Sequence, residues 1–263
     1  MKNKMKTNQF EQILNNRTLG SSELVQLLNE YFISIHNNKT EINRGIRLAR
    51  IKLGHFEAVS SYLKDLSLEL KTAHGLLNFF RSHSSQQKEK VEIIFKKILP
   101  RLKKLNRIIT LSRSGAVLEI LKLWHKRNSK IKVVVFESRP KLEGRLMAES
   151  LAHNGIKTEL ITDSMMSLFV SQVDAAIIGA DLVLKNGNIV NKVGSKALAI
   201  ICKEYKKPFY VVTSKSKLSK KKIFQPKKED PQEIWEKQLK NLAISNIYFE
   251  EIEKKLITKI FTD

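Results

Sequence analysis

The stretch "DAAIIGADLVLKNGNIVNKVGSK", residues 174–196, decides how this chain folds. Its apolar run, Ala175 to Ile178, is short and unbroken, the texture of a strand covered on both faces. The run ends in Gly179-Ala180-Asp181 and turns at Asn186-Gly187, a pair that favours a tight hairpin. It returns through Asn191-Lys192 to Gly194-Ser195, where a helix opens. A covered strand that delivers a carboxylate at its end, with an amide and an ammonium folded back towards it, has two readings. Either these groups tie loops together, or they converge on a small polar ligand.

Outward from this stretch the same rhythm repeats. "RIITL" (107–111), "KIKVVVFE" (130–137), "KTELIT" (157–162) and "PFYVV" (208–212) are also short and rich in Val and Ile, as buried strands are. Between them lie amphipathic segments. Val117, Ile120, Leu121 and Trp124 recur at helical spacing, and Leu142, Leu146 and Leu151 precede Gly155, a residue suited to ending a helix. Strand, helix, strand at this interval predicts a parallel sheet with right-handed crossovers. No GxGxxG follows the first strand, which argues against a dinucleotide site.

Residues 1–105 read differently, as a helical domain. "SSELVQLLNEYF" offers Ser22 as an N-cap, with Leu24, Leu27, Leu28, Tyr31 and Phe32 on one stripe. A single long periodic stretch is expected over roughly 44–72, a linker at "SHSSQQKEK" (82–90), and a helix over 89–99 that Pro100 kinks or ends. The fold class expected is therefore α/β: a helical N-terminal domain, 1–105, followed by a Rossmann-like parallel-sheet domain, 106–263.

Composition narrows the function. The chain has 263 residues and a formal net charge of +22. Such a balance attracts phosphate, whether of nucleic acid, anionic lipid or a metabolite. The lysines are spread along the chain, and the densest run, "SKSKLSKKK", has no aromatic residue on which bases could stack. An RNA- or ribosome-associated role is thus an alternative reading. No apolar run reaches the ~20 residues that span a bilayer, and the start lacks the apolar core of a signal peptide, so a cytoplasmic protein without membrane contact is expected. The single cysteine, Cys202, excludes an internal disulfide and a multi-cysteine metal site. It is expected to be a small thiol packed inside a helix face. Neither a metal nor a cofactor is expected.

In an open parallel sheet, ligands bind beyond the carboxyl ends of the strands. Four loops there are polar. The first, Thr110-Leu111-Ser112-Arg113-Ser114-Gly115, runs into a helix whose free N–H groups favour an anion, although Ser112 or Ser114 could simply cap it. The second, Glu137-Ser138-Arg139-Pro140, has a proline suited to a helix's first turn and offers Arg139 to a phosphate, unless it pairs with Glu137 or Glu143. The third, Thr162-Asp163-Ser164, reads as a helix cap. The fourth is the opening stretch, where an Asp181–Lys192 pair competes with a ligand role. A shared anionic ligand accounts for all four together.

The segments "FESRPKLEGRLMAESLAHNGIKTELITDS", "VDAAIIGADLVLKNGNIVNKVGSKALAI" and "PFYVVTSKSKL" resemble the initiation-factor-2B family, and "NIYFEEIEKKLITKIFTD" resembles its closing strand and helix. That family joins the alpha, beta and delta regulatory subunits of the translation-initiation guanine-nucleotide exchange factor to isomerases acting on 5-methylthioribose-1-phosphate and ribose-1,5-bisphosphate. The resemblance implies a homodimer, or assembly with related subunits, and a phosphorylated small molecule, a sugar phosphate or nucleoside monophosphate, as ligand.

In the isomerases the resemblance implies a catalytic cysteine after the first strand, working with the aspartate of Gly-Ala-Asp. Asp181 matches the aspartate, whereas Ser112 stands at the cysteine position and Leu111 at that of the preceding histidine. A serine with no base evident beside it does not replace a thiol that exchanges protons. The isomerases' Arg-Gly-Ala phosphate motif is not matched by Arg44-Gly45, which reads as helix. The resemblance therefore implies a retained phosphate pocket without isomerase chemistry. Its ligand contacts are Ser112, Ser114, Gly115, Glu137, Arg139, Asp181, Asn191, Lys192 and Lys217, with Asp181 catalytic only in an isomerase.

Overall fold

A computed structural model describes residues 2–16, 19–54, 56–72 and 75–263, with the backbone alone for 2–7. The chain divides into two compact units, residues 1–93 and 94–263.

The first unit contains α1 (Lys2–Leu14), α2 (Ser21–Ser34), α3 (Lys39–Leu53), α4 (Glu57–Glu69) and the start of α5 (Leu76–Leu102). Its core takes in stripe residues read from the sequence, Leu24, Leu28 and Phe32 of α2 and Leu63 and Leu66 of α4, together with Ile42, Ile46 and Ala49 of α3 and Phe80 of α5, while Ile51 of the expected 44–72 stripe is exposed. One polar node lies inside it. Asn29 Nδ2 donates to Phe80 O at 3.1 Å, and the Tyr62 hydroxyl donates to Asn29 Oδ1 at 3.0 Å, so the buried amide has partners.

Three expectations change here. Gly20 is the N-cap of α2, Ser22 lies inside the helix, and Glu23 accepts the Gly20 N–H. The periodic stretch 44–72 is two helices, interrupted by Gly54 to Phe56, of which residue 55 lies outside the described residues. The supposed linker 82–90 is the middle of α5, whose polar residues face solvent along a continuous helix. Pro100 sits near the end of that helix, which runs on to Leu102.

In the second unit β1 (Arg107–Thr110), α6 (Gly115–His125), β2 (Lys132–Phe136), α7 (Glu143–His153), β3 (Lys157–Ile161), α8 (Met166–Val170) and β4 (Ala175–Ile178) alternate. A hairpin of β5 (Leu182–Val183) and β6 (Ile189–Lys192) follows, then α9 (Ser195–Glu204), β7 (Phe209–Val212), β8 (Phe249–Ile252) and β9 (Lys259–Phe261). Six strands form a sheet in the order β3-β2-β1-β4-β7-β9, all parallel, while β5-β6-β8 form a small antiparallel sheet. The central strands are fully buried, as their unbroken apolar runs require. β3 is the exception, an edge strand with Leu160 and Glu159 exposed. The chain's last segment is two strands joined by one 3₁₀ turn, Lys254–Leu256, in place of the expected strand and helix.

Asn186-Gly187 turns as its composition predicts, with Gly187 at φ +84°. Strand order reverses between β1 and β4, which opens a crevice at their carboxyl ends. Among the described residues, no helix is long and apolar enough to cross a membrane.

Candidate functional site

The loop after β1 is anchored by its serines. Ser112 adopts a left-handed backbone (φ +65°), its N–H donates to Ser138 Oγ at 2.8 Å, and its hydroxyl donates to Glu143 Oε1 at 2.8 Å. Ser114 is the N-cap of α6, accepting the Val117 N–H, and Gly115 is the first residue of that helix. Gly179, at the end of β4, lies against Ser114: a Cβ there would stand 2.5 Å from its Oγ. Glycine is what allows the end of β4 to touch the start of α6.

The loop after β2 departs from expectation. The Arg139–Pro140 bond is cis, and α7 begins at Glu143, so Pro140 does not open the helix. Arg139 pairs with neither Glu137 nor Glu143. Its Nη2 reaches Ile234 O at 3.5 Å, Glu137 is bound by Arg145 at 2.8 Å, and Glu143 is bound by Lys192. The Asp163 carboxylate, expected to cap its own helix, instead accepts the N–H groups of Ser138 (3.0 Å) and Arg139 (2.7 Å). That fastens the third loop to the second. Gly144 makes the close approach possible, since a Cβ there would stand 1.7 Å from Phe136 O.

The opening stretch completes the edge. Asp181 is half-buried, and its N–H pairs with Val190 O at 2.8 Å, so β6 does fold back beside it. Asn191 and Lys192 are strand residues, both buried. The Asn191 amide donates to Ser195 Oγ at 2.9 Å. Lys192 Nζ lies 3.0 Å from Glu143 Oε1 and 4.8 Å from the centre of the Tyr248 ring. Lys217, in a 3₁₀ turn after β7, is buried as well.

Ser112, from the loop after β1, and Lys192, from the end of β6, thus meet on one carboxylate, Glu143. The serine does have a carboxylate beside it, contrary to the sequence reading. A carboxylate is a weak base towards an alcohol near neutrality, and the contact orients the hydroxyl. The sequence reading has Ser138 in the second polar loop and Glu143 only as an ion-pair partner for Arg139, and it carries no signal that brings Tyr248 to this edge. Among the described residues, no group of three His, Cys, Asp or Glu side chains could hold a metal ion.

A Pyrococcus furiosus protein described as translation initiation factor eIF-2B subunit 2-like is 45% identical over 114 residues, 43% of this chain and 41% of its own. A Methanocaldococcus jannaschii ribose 1,5-bisphosphate isomerase is 31% identical over 169 residues, 62% of this chain and 55% of its own. The chain spans about half the length of the curated relatives it matches. Among solved structures, the Pyrococcus horikoshii translation initiation factor eIF-2B superposes with a TM-score of 0.71 at 25% identity, covering 98% of this chain and 94% of that one. Subunit delta of eIF-2B from A. fulgidus gives a TM-score of 0.83 at 18% identity, covering 98% and 86%, a likeness of fold. A sequence model described as the Initiation factor 2 subunit family matches residues 7–263, and the chain belongs to that family.

Proposed function

We propose that this chain is a non-catalytic regulatory protein that binds a sugar phosphate or nucleoside monophosphate at the carboxyl edge of its sheet. It acts through contacts with a second copy or with related subunits. The feature that carries this reading is Ser112: an alcohol stands where the resemblance implies a thiol in the isomerases, and its hydroxyl donates to a carboxylate already paired with Lys192. Lys192 stands at that point, Asn191 precedes it on β6, Asp181 follows β4 and Lys217 follows β7, and Arg139, exposed on the loop after β2, offers a guanidinium suited to phosphate. Ser114, Gly115 and Glu137 act as scaffold, since Ser114 caps α6 and Glu137 pairs with Arg145.

Isomerisation of an aldose phosphate is the second reading, favoured by the matching Asp181 and by the names of several relatives. A thermal-shift series with ribose-1,5-bisphosphate, 5-methylthioribose-1-phosphate and AMP separates the two. A ligand at a hundredfold excess over its Kd adds about 2.7 kcal/mol of stability. Stabilisation without ketose formation is expected, reduced by Arg139→Ala. Turnover abolished by Asp181→Asn would establish the isomerase instead. Salt-sensitive RNA binding that survives both substitutions, with no response to sugar phosphates, would move the function to the lysine-rich surface.

A further inference from the structure

Residues 229–246 form a loop pinned at its neck. Lys228 bridges Ile247, and the Glu229 N–H donates to Asn246 O at 2.9 Å. Near its start is one 3₁₀ turn, Pro231–Glu233, capped by Asp230. From that turn Glu233 reaches back to the sheet edge. Its carboxylate accepts the Lys141 ammonium on Oε1, and on Oε2 the Tyr248 hydroxyl and the Asn246 amide (3.0 Å). An ammonium, a phenol and an amide converging on one anion are the donor set of an oxyanion site.

Two facts argue that this carboxylate is a displaceable occupant. The rest of the loop tip buries little: Ile234, Trp235, Leu239 and Leu242 are exposed, so apolar contact holds it only weakly. Its hydrogen bonds to the rest of the unit run through Glu233 and the Ile234 carbonyl, which accepts from Arg139. The donors also adjoin the edge described above. The Tyr248 ring lies 4.8 Å from Lys192 Nζ and 5.6 Å from Lys141 Nζ, placing the Lys141–Glu233 pair across one ring from the Lys192–Glu143 pair.

We propose that Lys141 and Tyr248, with Asn246 at the loop's neck, form an oxyanion subsite that Glu233 fills from within the chain, and that a phosphate group takes these donors when Glu233 withdraws with the loop tip while the Glu229–Asn246 neck stays paired. The identity of the ligand rests on the phosphate-binding reading above, whereas the exchange of one anion for another does not. Glu233 is then an internal competitor, and affinity for the phosphate is lowered by the fraction of molecules in which the loop is docked.

The test is a titration with inorganic pyrophosphate, followed by Trp235 fluorescence against the fixed background of buried Trp124, and by tryptic cleavage at Lys237 and Lys240. Pyrophosphate should shift the emission and speed cleavage in the wild-type chain. Glu233→Gln should show fast cleavage without any anion and bind pyrophosphate roughly tenfold more tightly, and adding Lys141→Met should abolish that gain. Unchanged cleavage and affinity in Glu233→Gln, or protection of the loop by pyrophosphate, would overturn the subsite. The wild-type titration decides the matter even if a variant misfolds. Release of the loop by pyrophosphate with no response to sugar phosphates would leave the subsite standing and remove the proposed ligand. Sugar-phosphate binding without loop release would do the reverse.

Discussion

Lys192 Nζ lies 3.0 Å from Glu143 Oε1, with the two side chains only 6% and 7% exposed. Glu143 Oε2 is buried with no hydrogen-bond donor. Taking two charges out of water is costly, so this pair does not by itself argue for stability. It argues for position: β6 and the start of α7 are held at one point, and the Ser112 hydroxyl is held with them.

Breaking the pair on one side leaves a buried charge uncompensated. Glu143→Gln should cost about 3–5 kcal/mol in urea unfolding. The double variant Glu143→Leu, Lys192→Met should recover most of that loss. A single-variant cost below about 1 kcal/mol would mean water reaches Lys192.

Gly144→Ala places a methyl group where Phe136 O already stands. The start of α7 must move off the end of β2, at a cost of about 3 kcal/mol or more. Sugar-phosphate affinity should fall with it, because Glu143 is the neighbouring residue. Thermal unfolding and a binding isotherm on the same sample check both.

The Glu233 carboxyl is held below its usual range. Burial pushes it up, but hydrogen bonds from Lys141, Tyr248 and Asn246 outweigh that. Its pairing therefore contributes fully above the unfolded value of 4.5 and is lost as pH falls through the lower folded value. Trp235 emission should stay constant from pH 7 to about 4.5 and shift below it. Glu233→Gln should show the shifted emission throughout.

His83 packs against Tyr62, with ring centres 4.8 Å apart, and burial, aided by Lys90, lowers its pKa to about 4. The unfolded chain, titrating near 6.5, binds the proton more readily than the folded one. Stability should thus be full above pH 6.5 and decline as the pH drops towards 4. His83→Gln should flatten that part of a melting-temperature profile.

Cys202 is buried on α9, and that burial raises its thiol to about 12, with Lys207 lowering it only in part. Ellman's reagent should leave the native protein unreacted and label one thiol after denaturation. Rapid native labelling would show that α9 opens.

Much of this molecule was legible in its amino acids. All five strand-like runs from Arg107 to Val212 became parallel strands, and in four of them a short continuous stretch of Val, Ile or Ala suits a sheet covered on both faces, β3 being an exposed edge. Asn186-Gly187 announced its hairpin. Where reading failed, local polarity misled. The residues 82–90 look like a linker, yet a helix with one face in water is allowed to be polar there, and α5 runs straight through. Pro140 suits a helix's first turn, but Asp163 and Gly144 bind the loop so that α7 starts later.

The succession of strands and helices along the chain, the hairpin and the polar character of the sheet's carboxyl edge were settled locally, by residues a few positions apart, whereas the order β3-β2-β1-β4-β7-β9 in the sheet came from the tertiary structure. Which charges pair was settled only by the fold. Arg139, Glu137 and Glu143 are close in sequence, yet Glu143 binds Lys192 from β6, Glu137 binds Arg145, and Arg139 turns to the Ile234 carbonyl. Ion pairs between different elements form where tertiary packing brings side chains within a few ångströms, and outside the turns of a single helix separation along the chain does not set that distance.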